Sequence, residues 1–578
     1  MFTRNEYPRP QLRREEWKPL NGEWQFCYDD NGEGEKRRYS DGKTNFERVI
    51  NVPYSYQYEA SGINETEYHP TVWYKREFSL SKEQTEKTVL LNFNAVDYYC
   101  EIWLNGKFAF SHVGGFTPFT VNVTSFVEER NVLVVKCVDT LDKRVPRGKQ
   151  SWTNERPGCW YIPNTGIWQS VWLEFTGKDY LKSRSVIPSV KDCGFAVELE
   201  SAYSKATNAE INFTFKGKTV ASEKFEFNGF SAKTFVKLPE ESVKNGYYLW
   251  SIDKPDLFAI EIKLYCGKDE CDRLTTRAGL REIAIENGVI TLNGKPLYQR
   301  LILDQGYFKE SGMTPVSAEA LKNDVILSKK MGYNGARKHQ KFEDPYFYYY
   351  ADELGFLTWC EMPSAYEFGF TEEQNLVRDW AEIIKEARNF TSVVCYVPLN
   401  ESWGVEGLNK QGKQQDFARS LYYYTRSLDD SRLVSTNDGW ENPETDVVTI
   451  HDYSFDSNEF PKIYNPDKLD MNSERNHKII CDGCKFNGQP VLFSEFGGIA
   501  MQNNKKAGDW GYNTDAKNDE EFLSRYKNLL SGIQKMWFQG FCYTQLTDCQ
   551  HEVNGLLDEN HNPKFDLEVI RKLTLIEE

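Results

Sequence analysis

The chain has 578 residues, 40% of them apolar, with 70 Lys and Arg against 86 Asp and Glu, so its formal net charge is −16. This is ordinary globular usage and excludes a mainly disordered chain. The longest apolar runs, such as 132–135, are strand-sized and far below the ~18 residues of a spanning helix. An acidic chain neutralises few phosphates and is repelled by anionic lipid, so neither nucleic acid nor membrane is an expected partner. The 13 cysteines lack framework spacing and the first residues lack an apolar leader, so reduced thiols in a cytoplasmic protein are expected.

Three textures follow one another. Residues 1–180 alternate short apolar runs with Gly, Asn and Pro (88–93, 98–104, 108–113, 132–138 and 168–175), and Asn105-Gly106 marks a hairpin. This predicts a β-sandwich. Residues 181–279 continue the strand texture at 196–199, 209–215, 231–238, 246–252 and 258–265, the spacing of a seven-stranded immunoglobulin-like sandwich without its disulfide hallmark. From 280 to 578 strands alternate with helices. Ser317 and Ala318 open a helix that carries Leu321 and Val325 and stops at Gly332; a second covers 345–353. Phe522, Tyr526, Leu529, Ile533, Met536 and Trp537 mark one face of a third. Eight candidate strands (298–303, 333–337, 356–360, 393–399, 433–436, 447–450, 491–493 and 541–546) predict a (β/α)8 barrel.

Catalytic groups of such a barrel sit at the C-terminal ends of its strands. Those ends read Asp304, Arg337 to His339, Glu361, Asn400-Glu401, Asn437-Asp438, His451-Asp452-Tyr453, Glu495 and Gln545. The set is rich in carboxylates. Glycoside hydrolysis needs one carboxyl to protonate the leaving oxygen and another to attack, about 5–5.5 Å apart when configuration is retained. Position alone leaves Glu361, Glu401 and Glu495 as candidates. His477, Cys481 and Cys484 lie within eight residues but lack a fourth zinc ligand, and are read as a loop with two free thiols. No nucleophile elbow, phosphate loop, dinucleotide fingerprint or H-E-x-x-H is present, so hydrolysis without a cofactor or metal is expected.

Several motifs in order resemble glycoside hydrolase family 2, which holds β-galactosidases, β-glucuronidases and β-mannosidases. They are Trp17-Lys-Pro-Leu-Asn-Gly-Glu-Trp24, Val72-Trp-Tyr-Lys-Arg-Glu-Phe78, Ile102-Trp-Leu-Asn-Gly106, Gly114-Gly-Phe-Thr-Pro118 and Thr165-Gly-Ile-Trp168. Leu249-Trp-Ser-Ile-Asp-Lys-Pro255, Leu292-Asn-Gly-Lys-Pro296, Pro398-Leu-Asn-Glu-Ser-Trp403, Phe493-Ser-Glu-Phe-Gly-Gly498 and the closing stretch Tyr543 to Gly555 follow. The resemblance implies a jelly roll, an immunoglobulin-like domain and a catalytic barrel. It implies Glu401 as acid/base, with its pKa raised by burial and by Glu495, and Glu495 as nucleophile. Asn400 is expected on the sugar 2-hydroxyl, and Tyr453 on the nucleophile. Arg337, His339, His451, Trp440, Tyr543 and Asp304 are expected around the sugar, with Trp403 as a further ring.

Departures bear on the sugar. The first strand ends Leu303-Asp-Gln-Gly-Tyr307, with Gln305 where many members carry His, and the second ends Arg337-Lys-His-Gln340. His451 stands where β-glucuronidases have Asn. Their carboxylate-reading Asn-x-Lys is absent from His551-Glu-Val-Asn-Gly555, although Lys338 offers a cation. The expectation is an exo-glycosidase acting on a terminal β-galactoside of an oligosaccharide or glycoconjugate. A β-glucuronide, galacturonide or α-L-arabinoside is the alternative. A non-catalytic carbohydrate-binding protein and a metal-requiring hydrolase are the competing classes. Family members are often oligomeric, and no interface is marked in the sequence.

Overall fold

A computed structural model describes residues 3–153, 155–471, 473–474 and 477–576. In the first sandwich a six-stranded antiparallel sheet runs Arg48–Val52, Gly22–Tyr28, Thr71–Ser79, Arg130–Val138, Tyr99–Leu104, Lys107–Val113. It faces a four-stranded sheet ordered Trp17–Pro19, Val171–Thr176, Thr88–Phe93, Phe119–Asn122, which completes the jelly roll. The period-2 pleat sends Cys100, Ile102 and Leu104 into the core beside Trp24, Phe26 and Leu133. Asn105 and Gly106 both take positive φ (52° and 75°), as the tight hairpin requires. The strand expected over 168–175 starts instead at Val171. Trp168 is drawn away to donate from Nε1 to the Gly115 carbonyl at 2.7 Å and to pack on Phe116.

The second sandwich pairs a three-stranded sheet (Leu181–Ser189, Gly194–Ser201, Ser231–Lys237) with a four-stranded one (Lys218–Glu226, Asn208–Phe215, Phe258–Cys266, Asp269–Ala278). The seven strands are those of the immunoglobulin-like arrangement. Residues 246–252 are not a strand. The chain turns at Gly246 (φ 78°), and Trp250 docks on the barrel through Nε1 to the Asp352 carbonyl at 2.9 Å. Leu181–Ser189, Lys218–Glu226 and Asp269–Ala278 take the remaining three places; exposed charges hid the last two in the sequence. Arg14 joins the two sandwiches by pairing with both Glu174 and Asp272.

The third unit is built on eight parallel strands: Gln299–Asp304, Gly335–Lys338, Leu357–Glu361, Val393–Val397, Leu433–Val434, Val448–His451, Val491–Gly497 and Gly540–Thr544. The fourth and fifth continue as Leu399–Asn400 and Asn437–Asp438, which pair with each other. Across the seam between the fifth and sixth, His451 N donates to the Gly439 carbonyl, and Gly439 N to the Thr449 hydroxyl. Helices cover the outside, including Ala318–Lys330, whose N-cap Ser317 accepts from Ala320 N, and Asp519–Gln534. Met536 and Trp537 lie beyond the end of that last helix. Inside, Leu301, Leu303, Trp359, Cys395, Val397, Leu492 and Cys542 fill the barrel, and Ile283, Ile290 and Leu292 close its lower end. All thirteen cysteines are free thiols.

Because the interior is packed rather than hollow, truncation there leaves a cavity. Leu301 is fully buried, so Leu301→Ala is expected to lose about 2–5 kcal/mol in denaturant unfolding. A loss below about 1 kcal/mol would mean that the interior collapses around the deletion.

Candidate active site

Arg337 is the residue on which the barrel mouth converges. It lies on the inner face of the second strand and is fully buried. Nε donates to Glu361 Oε2 at 2.6 Å, Nη1 to Glu495 Oε1 at 2.9 Å and Nη2 to Asn400 Oδ1 at 2.6 Å, while Nη1 lies 2.5 Å from Asp438 Oδ2. One planar fork thus fixes groups from the third, fourth, fifth and seventh strands, a geometry that a lysine point charge cannot supply. The charge of Arg337 holds the Asp438 carboxyl down against the upward push of burial. For Glu361 burial prevails, and its pKa is raised to about 7 despite Arg337. Glu361, a candidate catalyst from position alone, is therefore a support: its oxygens accept from Arg337 and from Gln340 N, and Oε1 lies 3.0 Å from His339 Nδ1.

Glu495 ends the seventh strand with its side chain 5% exposed. Tyr453 donates its hydroxyl to Glu495 Oε2 at 2.5 Å, as expected for a residue positioning that carboxylate. The Tyr453 ring is held by Tyr512, stacked at 3.6 Å with an interplanar angle of 4°.

Glu401 follows the fourth strand, on a backbone where Glu401 (φ 50°) and Ser402 (φ 55°) are both left-handed. Such residues cost about 1–3 kcal/mol each and persist only where neighbours hold them. Here Glu401 N donates to the Asp438 carbonyl, Ser402 N to Asn437 Oδ1, and Ser402 Oγ to Glu441 Oε2. The Glu401 side chain, 20% exposed, has Oε1 2.8 Å from His451 Nδ1 and accepts at Oε2 from Trp403 Nε1 at 3.3 Å.

His451 also faces Asp438 Oδ2 (3.1 Å) and Glu495 Oε1 (3.5 Å) with Nε2. Burial disfavours its charge, but Glu495, Asp438 and Glu401 outweigh that and raise its pKa to about 10. The Glu401 pKa is correspondingly not raised. Burial pushes it up, and the bond and charge of His451 override this and hold it low. The sequence expectation had omitted the imidazolium. Oxygens of Glu401 and Glu495 and a His451 nitrogen lie within 4.8 Å of one another, a set that could also ligate a cation.

The other expected residues divide. Asn400 is fully buried, and its Nδ2 has no partner among the described residues, which leaves a donor for a substrate oxygen. His339 is kept neutral by burial, Lys149 and Arg337, and shares Nδ1 with Arg337 and Glu361. Trp440 is half-buried, edge-on to His451 and stacked on His477, with its Nε1 unpartnered among the described residues. Asp304 and Lys338 do not join the site. Lys338 follows Arg337 on the opposite face of the pleat and pairs with Asp304 (2.6 Å) and Glu343 (2.8 Å). Tyr543 likewise faces outward, packing edge-on to Phe496 and Tyr526. His477, Cys481 and Cys484 do not converge: His477 bonds Glu441 Oε1, Cys481 donates to the Glu441 carbonyl, and Cys484 accepts from Arg419.

The first sandwich supplies a further wall of the site, which no sequence motif marks. Tyr161 N donates to the Lys149 carbonyl, Tyr366 OH to the Gly148 carbonyl, and Tyr161 OH to Glu552 Oε2 at 2.6 Å. Trp160 and Tyr366 pack edge-on against Trp403, and Trp152 against both. Lys149 is 8% exposed, donates to Cys159 Sγ at 3.2 Å, and keeps its charge against burial through Cys159, Glu552, Tyr366 and Glu401. No local pattern marks Lys149 or Trp160; only the domain contact brings them in.

A jelly roll and an immunoglobulin-like sandwich ahead of an (α/β)-type barrel with paired carboxylates at its mouth define a glycosidase architecture. The chain belongs to glycosyl hydrolase family 2: residues 17–174 match the family's sugar binding domain and 283–575 its TIM barrel domain. It is 23% identical over 457 residues to a beta-galactosidase of Thermoanaerobacter pseudethanolicus, covering 75% of this chain and 58% of that protein. It is 26% identical over 475 residues to a beta-galactosidase of Thermoanaerobacterium thermosulfurigenes, covering 76% and 60%. The chain spans 48% to 60% of the length of these and a further curated relative. The fold is that of the Ruminococcus gnavus beta-glucuronidase crystal structure (TM-score 0.80, 20% identity, 98% of this chain and 99% of that one).

Arg337→Lys keeps a positive charge and loses the fork. It is expected to destabilise by about 3–5 kcal/mol, the cost of breaking buried ion pairs, and to lower kcat/KM about 100-fold or more through misplaced carboxylates. Thermal unfolding and turnover of any accepted glycoside check this; wild-type values in both would contradict the role.

Proposed function

We propose that the chain is a retaining exo-glycosidase working by double displacement, with Glu495 as nucleophile and Glu401 as acid/base. The observation that carries this reading is the closeness of the two carboxylates, with oxygens no more than 4.8 Å apart. This closeness supports the short, ~5–5.5 Å separation of retaining enzymes over the ~6.5–9.5 Å of inverting ones. Glu495, held by Arg337 and Tyr453, attacks the anomeric carbon while Glu401 protonates the departing oxygen. Water then enters, Glu401 takes its proton, and the sugar leaves with its original configuration. Asn400 Nδ2 offers a bond to a sugar hydroxyl that strengthens as positive charge grows at the anomeric carbon.

For the sugar we propose a neutral terminal residue, a β-galactoside first. The similarity to beta-galactosidases supports this. A β-glucuronide is the second reading, supported by the similarity to a putative beta-glucuronidase of Formosa agariphila (27% identity over 414 residues) and by the buried Lys149 ammonium, which has only the Cys159 sulfur as a hydrogen-bond partner among the described residues. The substrates are oligosaccharides or glycoconjugates, and the units are proposed to divide at residues 1–180, 181–279 and 280–578.

A panel of p-nitrophenyl β-galactoside, β-glucuronide, β-galacturonide, β-mannoside and α-L-arabinosides tests the sugar. With the accepted substrate, proton NMR is expected to show the product first in the configuration of the substrate. Glu495→Ala is expected to lose turnover by about 10⁴-fold or more, and Glu401→Ala to regain turnover of an activated glycoside with azide. An inverted first product, or undiminished turnover in Glu495→Ala, would defeat the mechanism. Preference for the glucuronide, abolished in Lys149→Gln, would replace the first sugar by the second.

A further inference from the structure

We propose that His451 is the proton store of the acid/base: in the free protein its imidazolium holds the proton that Glu401 delivers to the leaving group. The inference rests on Glu401 being the acid/base. It starts from geometry. Nδ1 lies 2.8 Å from Glu401 Oε1 and Nε2 3.1 Å from Asp438 Oδ2, so both ring nitrogens face carboxylates. A carboxylate that is ionised only accepts, so with Glu401 and Asp438 both charged the ring bonds both of them only as the doubly protonated cation. The ring is built into this place. Gly439 (φ 109°) has no side chain where a Cβ would meet His451 Nδ1 at 2.6 Å. Trp440 covers the ring edge-on at 5.6 Å, and His451 N is tied to the Gly439 carbonyl.

Among the described residues, titratable and charged groups face the ring from several elements. Glu401, Asp438 and Glu495 face it. Arg337 stands behind Asp438 and Glu495, and Tyr453 holds the far oxygen of Glu495. Lys149 and His339 act on Glu401 from the other side, and His477 lies beyond Trp440. Three carboxylates against one imidazole keep the proton in the cluster, while Glu401 by itself is ionised.

The proton inventory then closes. On substrate binding the proton crosses from His451 Nδ1 to Glu401 Oε1. The carboxyl turns about its terminal C–C bond, its other oxygen being held among the described residues only by Trp403 Nε1 at 3.3 Å, and presents the proton to the glycosidic oxygen. The C1–O bond breaks with its electron pair going to the leaving oxygen, which takes the proton, and the bond from Glu495 to C1 forms. One negative charge is consumed in the Glu495 ester as one positive charge leaves His451, so the buried charge balance is unchanged. In the second half water attacks C1, Glu495 leaves as a carboxylate, and the proton of the water returns through Glu401 to Nδ1. His451 acts through Glu401 and is a positioning residue.

The test compares His451→Asn and His451→Gln with wild type, using an alkyl and a dinitrophenyl glycoside of the accepted sugar across pH. Leaving-group protonation matters only for the alkyl glycoside, so the loss in kcat/KM is expected to be about 100-fold greater for it than for the dinitrophenyl one. The basic limb for the alkyl glycoside is expected to move to lower pH by a unit or more. In wild type the proton stays in the cluster until pH approaches the raised value of His451, about 10; in the variants a lone carboxyl must hold it. Equal losses on both substrates with an unmoved limb would reduce His451 to a structural role. Nitrogen-15 NMR of wild-type His451 at pH 7 needs no variant: two protonated ring nitrogens support the store and one overturns it. If Glu401→Ala shows no azide rescue and no leaving-group dependence, the fault lies in the acid/base assignment itself.

Discussion

The fork of Arg337 is the constraint on which the barrel mouth depends. Four carboxyl groups, Glu361, Glu401, Asp438 and Glu495, are gathered at the barrel mouth, three of them almost wholly buried, where each ionised group costs several kcal/mol to desolvate. One guanidinium, contacting three of them together with Asn400, makes the gathering possible. Its planar donors also set distances between strands that are not neighbours in sequence. The adjacent Lys338 shows the other outcome of the same pleat. Pointing outward, it pairs with Asp304 and Glu343 beneath the loops and stabilises the scaffold without touching the chemistry.

Around that fork the site is held from two sides. Within the barrel, the left-handed turn at Glu401 and Ser402 aims one carboxylate at His451, and Tyr453 with Tyr512 pins the other. From outside, the first sandwich presses Lys149, Trp152 and Trp160 against Tyr366 and Trp403. Gly148 (φ 59°) makes this approach possible, because a Cβ there would meet the Gln340 carbonyl at 2.1 Å. The first sandwich is thus part of the pocket as well as a neighbour of it.

Much of this was legible in the residues. Eight apolar runs fell on the eight barrel strands because strands buried on both faces read as continuous hydrophobic stretches. Their acidic ends gave the carboxylates, and the family motifs selected Glu401 and Glu495. What failed did so for physical reasons. Residues 246–252 look like a strand because Tyr248 and Trp250 are buried, yet Tyr248 packs in the core of its own sandwich and Trp250 against the barrel. Asp304 and Tyr543 sit at strand ends, but side-chain alternation sends them outward. The raised pKa expected for Glu401 considered burial and Glu495 alone, and His451 reverses the sign. Lys149 could not be found locally, since its role exists only where two domains meet.

The central claim is that Glu495 becomes covalently bonded to the sugar, and it can be tested on the protein itself. Incubation with a 2-deoxy-2-fluoro glycosyl fluoride of the accepted sugar slows release of the intermediate, and peptide mapping by mass spectrometry locates the adduct. The account predicts one fluoroglycosyl group on the peptide carrying Glu495, formed as activity is lost. An adduct on Glu361 or Glu401, or steady turnover with no adduct, would contradict it.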